Sequence, residues 1–139
     1  MTYSKPLPPV NGDSAPYWRG AGEGRLILRQ CLSCGTVMFY PRSNCTKCMS
    51  SELDWIEASG RGQVYSATIC YRAPDQSFRP EVPYVIALID LEEGPRMMSN
   101  VTGCAPEEVS IGDAVEVWFE AATDEIAIPK FKLSRNPAP

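Results

Sequence analysis

The chain has 139 residues, 44% hydrophobic and 22% charged, the profile of one globular domain or two very small ones. Its formal charge is −4, it has no histidine, and its longest apolar run, YVIALIDL at 84–91, is too short to cross a bilayer. These facts weigh against a polyanion-binding or membrane protein, and they exclude Ser–His and Cys–His nucleophile pairs and a histidine-ligated catalytic zinc.

The N-terminal segment MTYSKPLPPVNG is proline-rich and lacks the apolar stretch of a signal peptide, so it reads as an extended arm on a cytoplasmic protein. Residues 13–24 change character. Asp13 or Ser14 offers a cap, Pro16 fits a first helical turn, and glycines at 20, 22 and 24 end it. A helix of about two turns cannot bury Tyr17 and Trp18 alone, which makes the pair candidate contacts for a partner protein as well as for the chain itself. Residues 1–24 are therefore assigned to an arm with a short helix.

RLILR (25–29) reads as a strand, followed by the run CLSCGTVMFYPRSNCTKC at 31–48, which holds four of the six cysteines. Val37 begins a second strand over 37–40, and Leu53, Trp55 and Ile56 mark a third. Strand, knuckle, strand, knuckle, strand is a rubredoxin-like zinc ribbon, assigned to residues 25–60. Cys31-x-x-Cys34 and Cys45-x-x-Cys48 can each direct two sulfurs at one point, and Zn²⁺ accepts four thiolates in a tetrahedron. Iron is the chemical rival, because the same spacing serves both metals. A disulfide framework fits a cytosolic chain poorly, and a thioredoxin-like redox pair needs one CxxC at the start of a helix in an α/β pattern. Four thiolates close the coordination sphere, so the metal is structural and does no catalysis. Gly35 suits the positive φ of a knuckle, Met49 stands in the corresponding place of the second, and Arg42 and Lys47 lie near enough in sequence to screen the surplus negative charge.

From Gly62 the pattern is all-β. GQVYSATICYR (62–72), VPYVIALIDLEE (82–93), PRMMSNVTG (95–103), DAVEVWFEAA (113–122) and EIAIPKFKLS (125–134) predict five strands, with a short helix over 106–109 in the link between the third and the fourth. Val115, Val117 and Phe119 share one face and Glu116, Trp118 and Glu120 the other. Five strands match an OB-fold barrel, assigned to 61–135 with a tail at 136–139, and fall short of the seven or so of an immunoglobulin-type sandwich. The fold class is mainly β. Cys70 and Cys104 read as packing residues without a histidine to activate them.

WRGAGEGRLILRQCLSCGTVMFYPRSNCTKC, SGRGQVYSATIC, VPYVIALIDLEEG and PKFKL together resemble the zinc-ribbon plus OB-fold family catalogued as domain of unknown function thirty-five, over about residues 17–133. The specific parts are the cysteine spacing with Gly35 and Pro41-Arg42, and the Gly60-Arg61-Gly62 junction. Met49, where the family has a small residue, and Tyr40, where it commonly has proline, depart from the pattern. Members are typically encoded beside thiolase-like, aldolase or hydroxymethylglutaryl-CoA-synthase-like proteins. The resemblance implies a non-catalytic accessory subunit of such a partner in acyl-CoA metabolism, with the ribbon structural and the barrel or its loops facing the partner or coenzyme A. It supplies no catalytic residues. Coenzyme A carries phosphates that pair with arginine, and the loop RAPDQSFRPE at 72–81 offers Arg72, Arg79 and a Phe78 that reads as exposed and able to cover an adenine.

Three other readings stand beside this one. A single-stranded nucleic-acid module would stack bases on Trp118, Tyr65 or Tyr71, but thirteen basic residues face seventeen acidic ones. An independent enzyme would use Asp90, Glu92 and Glu93, and a rubredoxin-like electron carrier would hold iron.

Overall fold

A computed structural model describes residues 3–134. The arm runs extended to α1 (Ala15–Gly22). Ser14 occupies the N-cap position without a side-chain capping bond; Asn11 holds the turn instead, its carbonyl accepting from the Ala15 amide at 2.7 Å and its side-chain oxygen from the Ser14 amide at 3.1 Å. The helix ends where the Arg25 amide donates back to the Gly20 carbonyl, and Arg25 pairs with Glu23. That turn delays the first strand, β1 (Ile27–Cys31), by two residues relative to the expected start.

β1 is the middle strand of a three-stranded antiparallel sheet, with β2 (Val37–Met38) on one side and β3 (Leu53–Glu57) on the other. β2 is shorter than its sequence pattern, because Phe39 leaves the ladder to pack edge-on against Tyr17, ring centres 5.5 Å apart. The remaining strands are β4 (Arg61–Cys70), β5 (Tyr84–Leu91), β6 (Arg96–Thr102), β7 (Ala114–Ala121) and β8 (Ala127–Leu133). They close into a barrel in the order β4-β5-β6-β8-β7, with β6 and β8 parallel and every other pair antiparallel. This is the five-stranded closure of an OB-fold. The expected helix at 106–109 is a single 3₁₀ turn, Pro106–Glu108, and a second 3₁₀ segment, Gln76–Glu81, lies in the β4–β5 connection where no element was expected. The tail assigned to 136–139 lies outside the described residues.

β5 explains the barrel's interior. Val85, Ala87, Ile89 and Leu91 alternate inward and are at most 4% exposed, and they meet Val64, Met97, Val101, Val115 and Phe131 in one cluster. The same cluster takes in Tyr17 from α1, Leu26 and Leu28 from the first strand region and Ala58 beyond β3, so helix, ribbon and barrel share an interior. Gly60, at φ +82°, makes the turn from ribbon to barrel; a Cβ there would lie 2.5 Å from Val117 Cγ1. Among the described residues no helix is long and apolar enough to cross a membrane.

The arm is fastened by charge. Lys130, 6% exposed, points its ammonium at Glu120 (3.0 Å) and Glu81 (3.9 Å), and Lys5 reaches the same two carboxylates at 3.5 and 2.5 Å. Two cations and two anions thus join the arm, the β4–β5 connection, β7 and β8. Lys5 also lies within 5.0 Å of the Tyr3 ring centre and 5.7 Å of that of Phe78. Burial alone would raise the pKa of Glu120, but the hydrogen bond and charge of Lys130, with Lys5 behind it, hold the carboxyl below its ordinary 4.5. Its contribution is therefore fully present above pH 4.5 and disappears as pH falls through the lower folded value. Lys130→Met should cost about 1–3 kcal/mol near neutral pH, discounted from a fully buried pair because Glu81 is partly exposed. Thermal melts between pH 7 and pH 3 should show the cost shrinking as Glu120 protonates. A variant as stable as wild type at neutral pH would show that the network adds nothing.

Candidate metal centre

The four cysteines of the ribbon come together at the end of β1. Their sulfurs all lie within 4.8 Å of one another, and two pairs, Cys31–Cys48 and Cys34–Cys45, are 3.6 Å apart. A tetrahedron of sulfurs at about 2.3 Å from zinc has edges of about 3.8 Å, so the donor set fits such an ion with little adjustment. Cys31 and Cys45 are 1% exposed, Cys34 and Cys48 face outward.

Both knuckles are built alike. In the first, the Cys34 amide donates to Cys31 Sγ at 3.4 Å, the Gly35 amide to the Cys31 carbonyl at 2.9 Å and the Cys31 amide to the Thr36 carbonyl at 2.8 Å. In the second, Cys48 donates to Cys45 Sγ at 3.4 Å, Met49 to the Cys45 carbonyl at 3.0 Å and Cys45 to the Ser50 carbonyl at 2.8 Å. Gly35 takes φ +80° and Met49 takes φ +68°, the one non-glycine residue with positive φ among those described. Met38, 4% exposed, packs with Cys31 and Cys45 behind the cluster, supported by Leu53.

Four thiols this close share ionisation unequally. Cys34 is drawn down to about 6, first by the Thr36 hydroxyl at 3.1 Å and then by the Thr36 amide. The Ser50 amide favours the Cys48 thiolate, but hydrogen bonding to Cys31, burial, and the neighbouring Cys34 and Cys45 outweigh it and push Cys48 up to about 12. A central divalent cation favours all four thiolates together, and with four protein ligands it leaves no position for substrate. Thr36 and Met38 were not among the expected site residues; the one available signal was that Thr36 directly follows the knuckle glycine.

The other candidate residues are dispersed. Tyr17 is only 5% exposed, packed edge-on against Trp18 and Phe39. Trp18 is half-buried and lines a groove of about 360 Å³ with Phe39, Tyr40, Arg42 and Met98. Phe78 is half-buried rather than exposed: Tyr84 lies 6.0 Å away, and the Lys5 ammonium is near its face. Arg72 and Arg79 flank it in sequence, exposed and free of ion pairs among the described residues. The carboxylates of LIDLEEG each have a partner. Asp90 pairs with Arg96 at 2.6 Å, Glu92 with Arg61 at 2.9 Å, and Glu93 accepts from the Ser59 amide at 2.8 Å. Trp118 turns its indole N–H to the Thr102 hydroxyl at 2.8 Å, and the Arg96 guanidinium covers Tyr65 at 3.4 Å from the ring centre. Cys70 donates to the Arg72 carbonyl at 3.1 Å.

One divalent metal per chain is expected by elemental analysis of the protein as purified. Cys31→Ser or Cys45→Ser should release it, because each removes a buried ligand. Structural zinc contributes about 10–16 kcal/mol of apparent binding free energy in small peptides, so near-ultraviolet circular dichroism should report loss of ribbon structure while the barrel strands remain. Wild-type structure in a metal-free sample would contradict the assignment.

Comparison with known proteins follows the same two-part division. A profile of the ChsH2 rubredoxin-like zinc ribbon domain matches residues 18–54, and one of the ChsH2 C-terminal OB-fold domain matches residues 55–120. A "DUF35 domain-containing scaffold protein" of Methanocaldococcus jannaschii is 39% identical over 110 residues, 78% of this chain and 77% of the relative. A "probable enoyl-CoA hydratase alpha subunit" of Thermomonospora curvata is 37% identical over 128 residues; the match takes in 92% of this chain but spans only 40% of that protein's length. Among solved structures, a chain of an "Ltp2-ChsH2(DUF35) aldolase" superposes with TM-score 0.81 at 36% identity, covering 91% of this chain and 98% of that one. The chain belongs to the DUF35 family, whose zinc ribbon and OB-fold its cysteine cluster and barrel reproduce.

Proposed function

We propose that this chain is a non-catalytic accessory subunit of a thiolase-superfamily or aldolase partner in acyl-CoA metabolism, acting in the cytosol with Zn²⁺ as the structural metal of its ribbon. The observation that carries the reading is the likeness of nearly the whole chain to the DUF35 chain of an aldolase complex. The names of two relatives, a scaffold protein and a hydratase subunit, point the same way. The chemistry of the chain supports it from the other side. The metal site is closed, the carboxylates of 90–93 are engaged in ion pairs and backbone capping, and no histidine is present. Thiolytic and aldol chemistry need an activated nucleophile or base, which the partner would bring.

Within this reading, Trp18 rather than Tyr17 is the aromatic available to an interface. Direct contact with the coenzyme A of an acyl-CoA would rest on Arg72 and Arg79, since the Phe78 ring is engaged by Tyr84 and Lys5.

Co-purification with the product of an adjacent thiolase-like gene, followed by an acyl-CoA assay with and without this chain, tests the proposal. The chain alone should turn over no acyl-CoA, and it should raise the partner's activity or solubility; a partner equally soluble and active alone would refute it. Trp18→Ala should weaken the complex by more than about 1 kcal/mol, in the range of interfacial aromatics. Binding to single-stranded DNA or RNA at physiological salt should be weaker than about 10 μM, because an acidic surface cannot neutralise phosphates. Submicromolar binding in a fluorescence-anisotropy titration would favour the nucleic-acid reading instead.

A further inference from the structure

The two knuckles match in backbone and differ in one hydroxyl. Thr36 and Ser50 hold equivalent places, each two residues after the second cysteine of its pair, and the carbonyl of each accepts the first cysteine's amide at 2.8 Å. The Thr36 amide donates to the Cys34 sulfur, and the Ser50 amide to that of Cys48. The side chains then part. Thr36 holds its hydroxyl 3.1 Å from Cys34 Sγ, whereas the Ser50 oxygen accepts from the Glu52 amide at 3.0 Å and lies 3.0 Å from the Ser33 hydroxyl. A metal-bound thiolate has no proton to give, so the Thr36 hydroxyl is the donor. Among the described residues no hydroxyl reaches Cys48 Sγ, and Cys34 thus carries one hydrogen bond that its counterpart lacks.

That difference bears on reactivity. A donor engages the electron pair with which sulfur attacks, and donors around a metal site tune the ligand they touch. Electrophiles and oxidants select accessible thiolates. Cys31 and Cys45 are buried, Cys34 and Cys48 exposed, so first attack falls on one of the outward pair, and Cys48 keeps the freer sulfur. A second thiolate stands ready beside it. Cys31 Sγ lies 3.6 Å from Cys48 Sγ. Cys34 and Cys45 are just as close at 3.6 Å, so distance does not choose between the two pairs. The Thr36 hydroxyl does.

We propose that the ribbon's metal site is an oxidant-sensitive fastening, in which a hydroperoxide attacks Cys48 first and Cys31 resolves it. The Cys48 thiolate attacks a peroxide oxygen, the O–O bond breaks and hydroxide leaves; sulfur is oxidised to sulfenic acid by two electrons and the peroxide is reduced by two. The Cys31 thiolate then displaces hydroxide from that sulfur and the disulfide forms. Two of the four thiolates are consumed, and a metal held by thiolates leaves with them. Thr36 is a positioning residue that shields Cys34. The inference rests on the structural-metal reading and is independent of the partner.

The test treats the full metal-loaded chain with a substoichiometric amount of hydrogen peroxide, follows released metal with a chromophoric chelator, and maps disulfides by mass spectrometry after the remaining thiols are alkylated. Cys31–Cys48 should exceed Cys34–Cys45 by about tenfold, the weight of one hydrogen bond, and metal release should keep pace with it. Thr36→Val should bring the two disulfides within about twofold of each other, and Thr36→Ser should keep the wild-type preference. If Thr36→Val does not hold metal, the wild-type map decides. Equal amounts of the two disulfides in wild type, or Cys34–Cys45 ahead, would overturn the assignment, as would oxidation of Cys70 or Cys104 with the metal retained. An unchanged preference in metal-loaded Thr36→Val would overturn the part given to Thr36. A chain that carries no metal before peroxide is added would overturn the metal reading itself.

Discussion

Convergence of four sulfurs on one point is the constraint from which the ribbon follows. Its own buried apolar side chains are few, with Met38 behind the sulfurs and Leu53 beside them. So small a unit would not hold its shape through apolar burial alone. β1 carries the constraint into the rest of the molecule. At its end Cys31 joins the cluster, and three residues earlier Leu28 enters the barrel's apolar interior with Leu26. The same strand thus carries a candidate metal ligand at one end and core side chains beside the other, so ribbon and barrel are joined through a shared apolar interior. Tyr17 and Phe39 fill the angle between them.

The charges follow a comparable economy. The chain is acidic, yet its prominent carboxylates are committed to ion pairs. Glu81 and Glu120 hold Lys5 and Lys130, and Asp90 and Glu92 hold Arg96 and Arg61. The first group is nearly out of water on its cationic side, with the lysine side chains 9% and 7% exposed. Breaking such a group by removing one member costs more than forming it gains, so it acts mainly to specify where the arm lies. That position also decides the fate of the β4–β5 connection. With Lys5 against Phe78 and Glu81, the arm engages those two side chains and leaves Arg72 and Arg79 exposed.

Much of this was legible in the sequence, for reasons that differ between elements. The metal site was readable because its chemistry is local: two CxxC turns impose their geometry within a few residues. The barrel strands were readable because β-branched and aromatic residues alternate over 62–72 and 113–122, although the run at 84–91 has apolar residues on both faces and owed its assignment to composition and length. What could not be read was contact at long range. Lys5 and Glu120 are 115 positions apart, and no local pattern announces their meeting. The same gap left Tyr17 open between the chain itself and a partner, and it hid the contacts of Phe78. Each looked available because its own segment could not bury it, and each is covered by residues distant in the chain, Phe39 in one case and Lys5 in the other. Sequence reading identified the need for a covering surface at Tyr17 and offered both the chain itself and a partner, without the contact that decides between them.

This accounting changes where an accessory role must reside. Tyr17 is in the core, the four cysteines converge on one point and the carboxylates at 90–93 are engaged, so these groups are committed to structure. A rigid surface is worth more to binding than a mobile one of the same composition, because the ordering cost has already been met on folding. The ribbon tip is well fixed in this sense. Its two turns are held by shared metal ligands, by matched backbone hydrogen bonds and by the bridge between the Ser33 and Ser50 hydroxyls. A closed four-thiolate site stiffens the turns it joins and leaves no position for substrate.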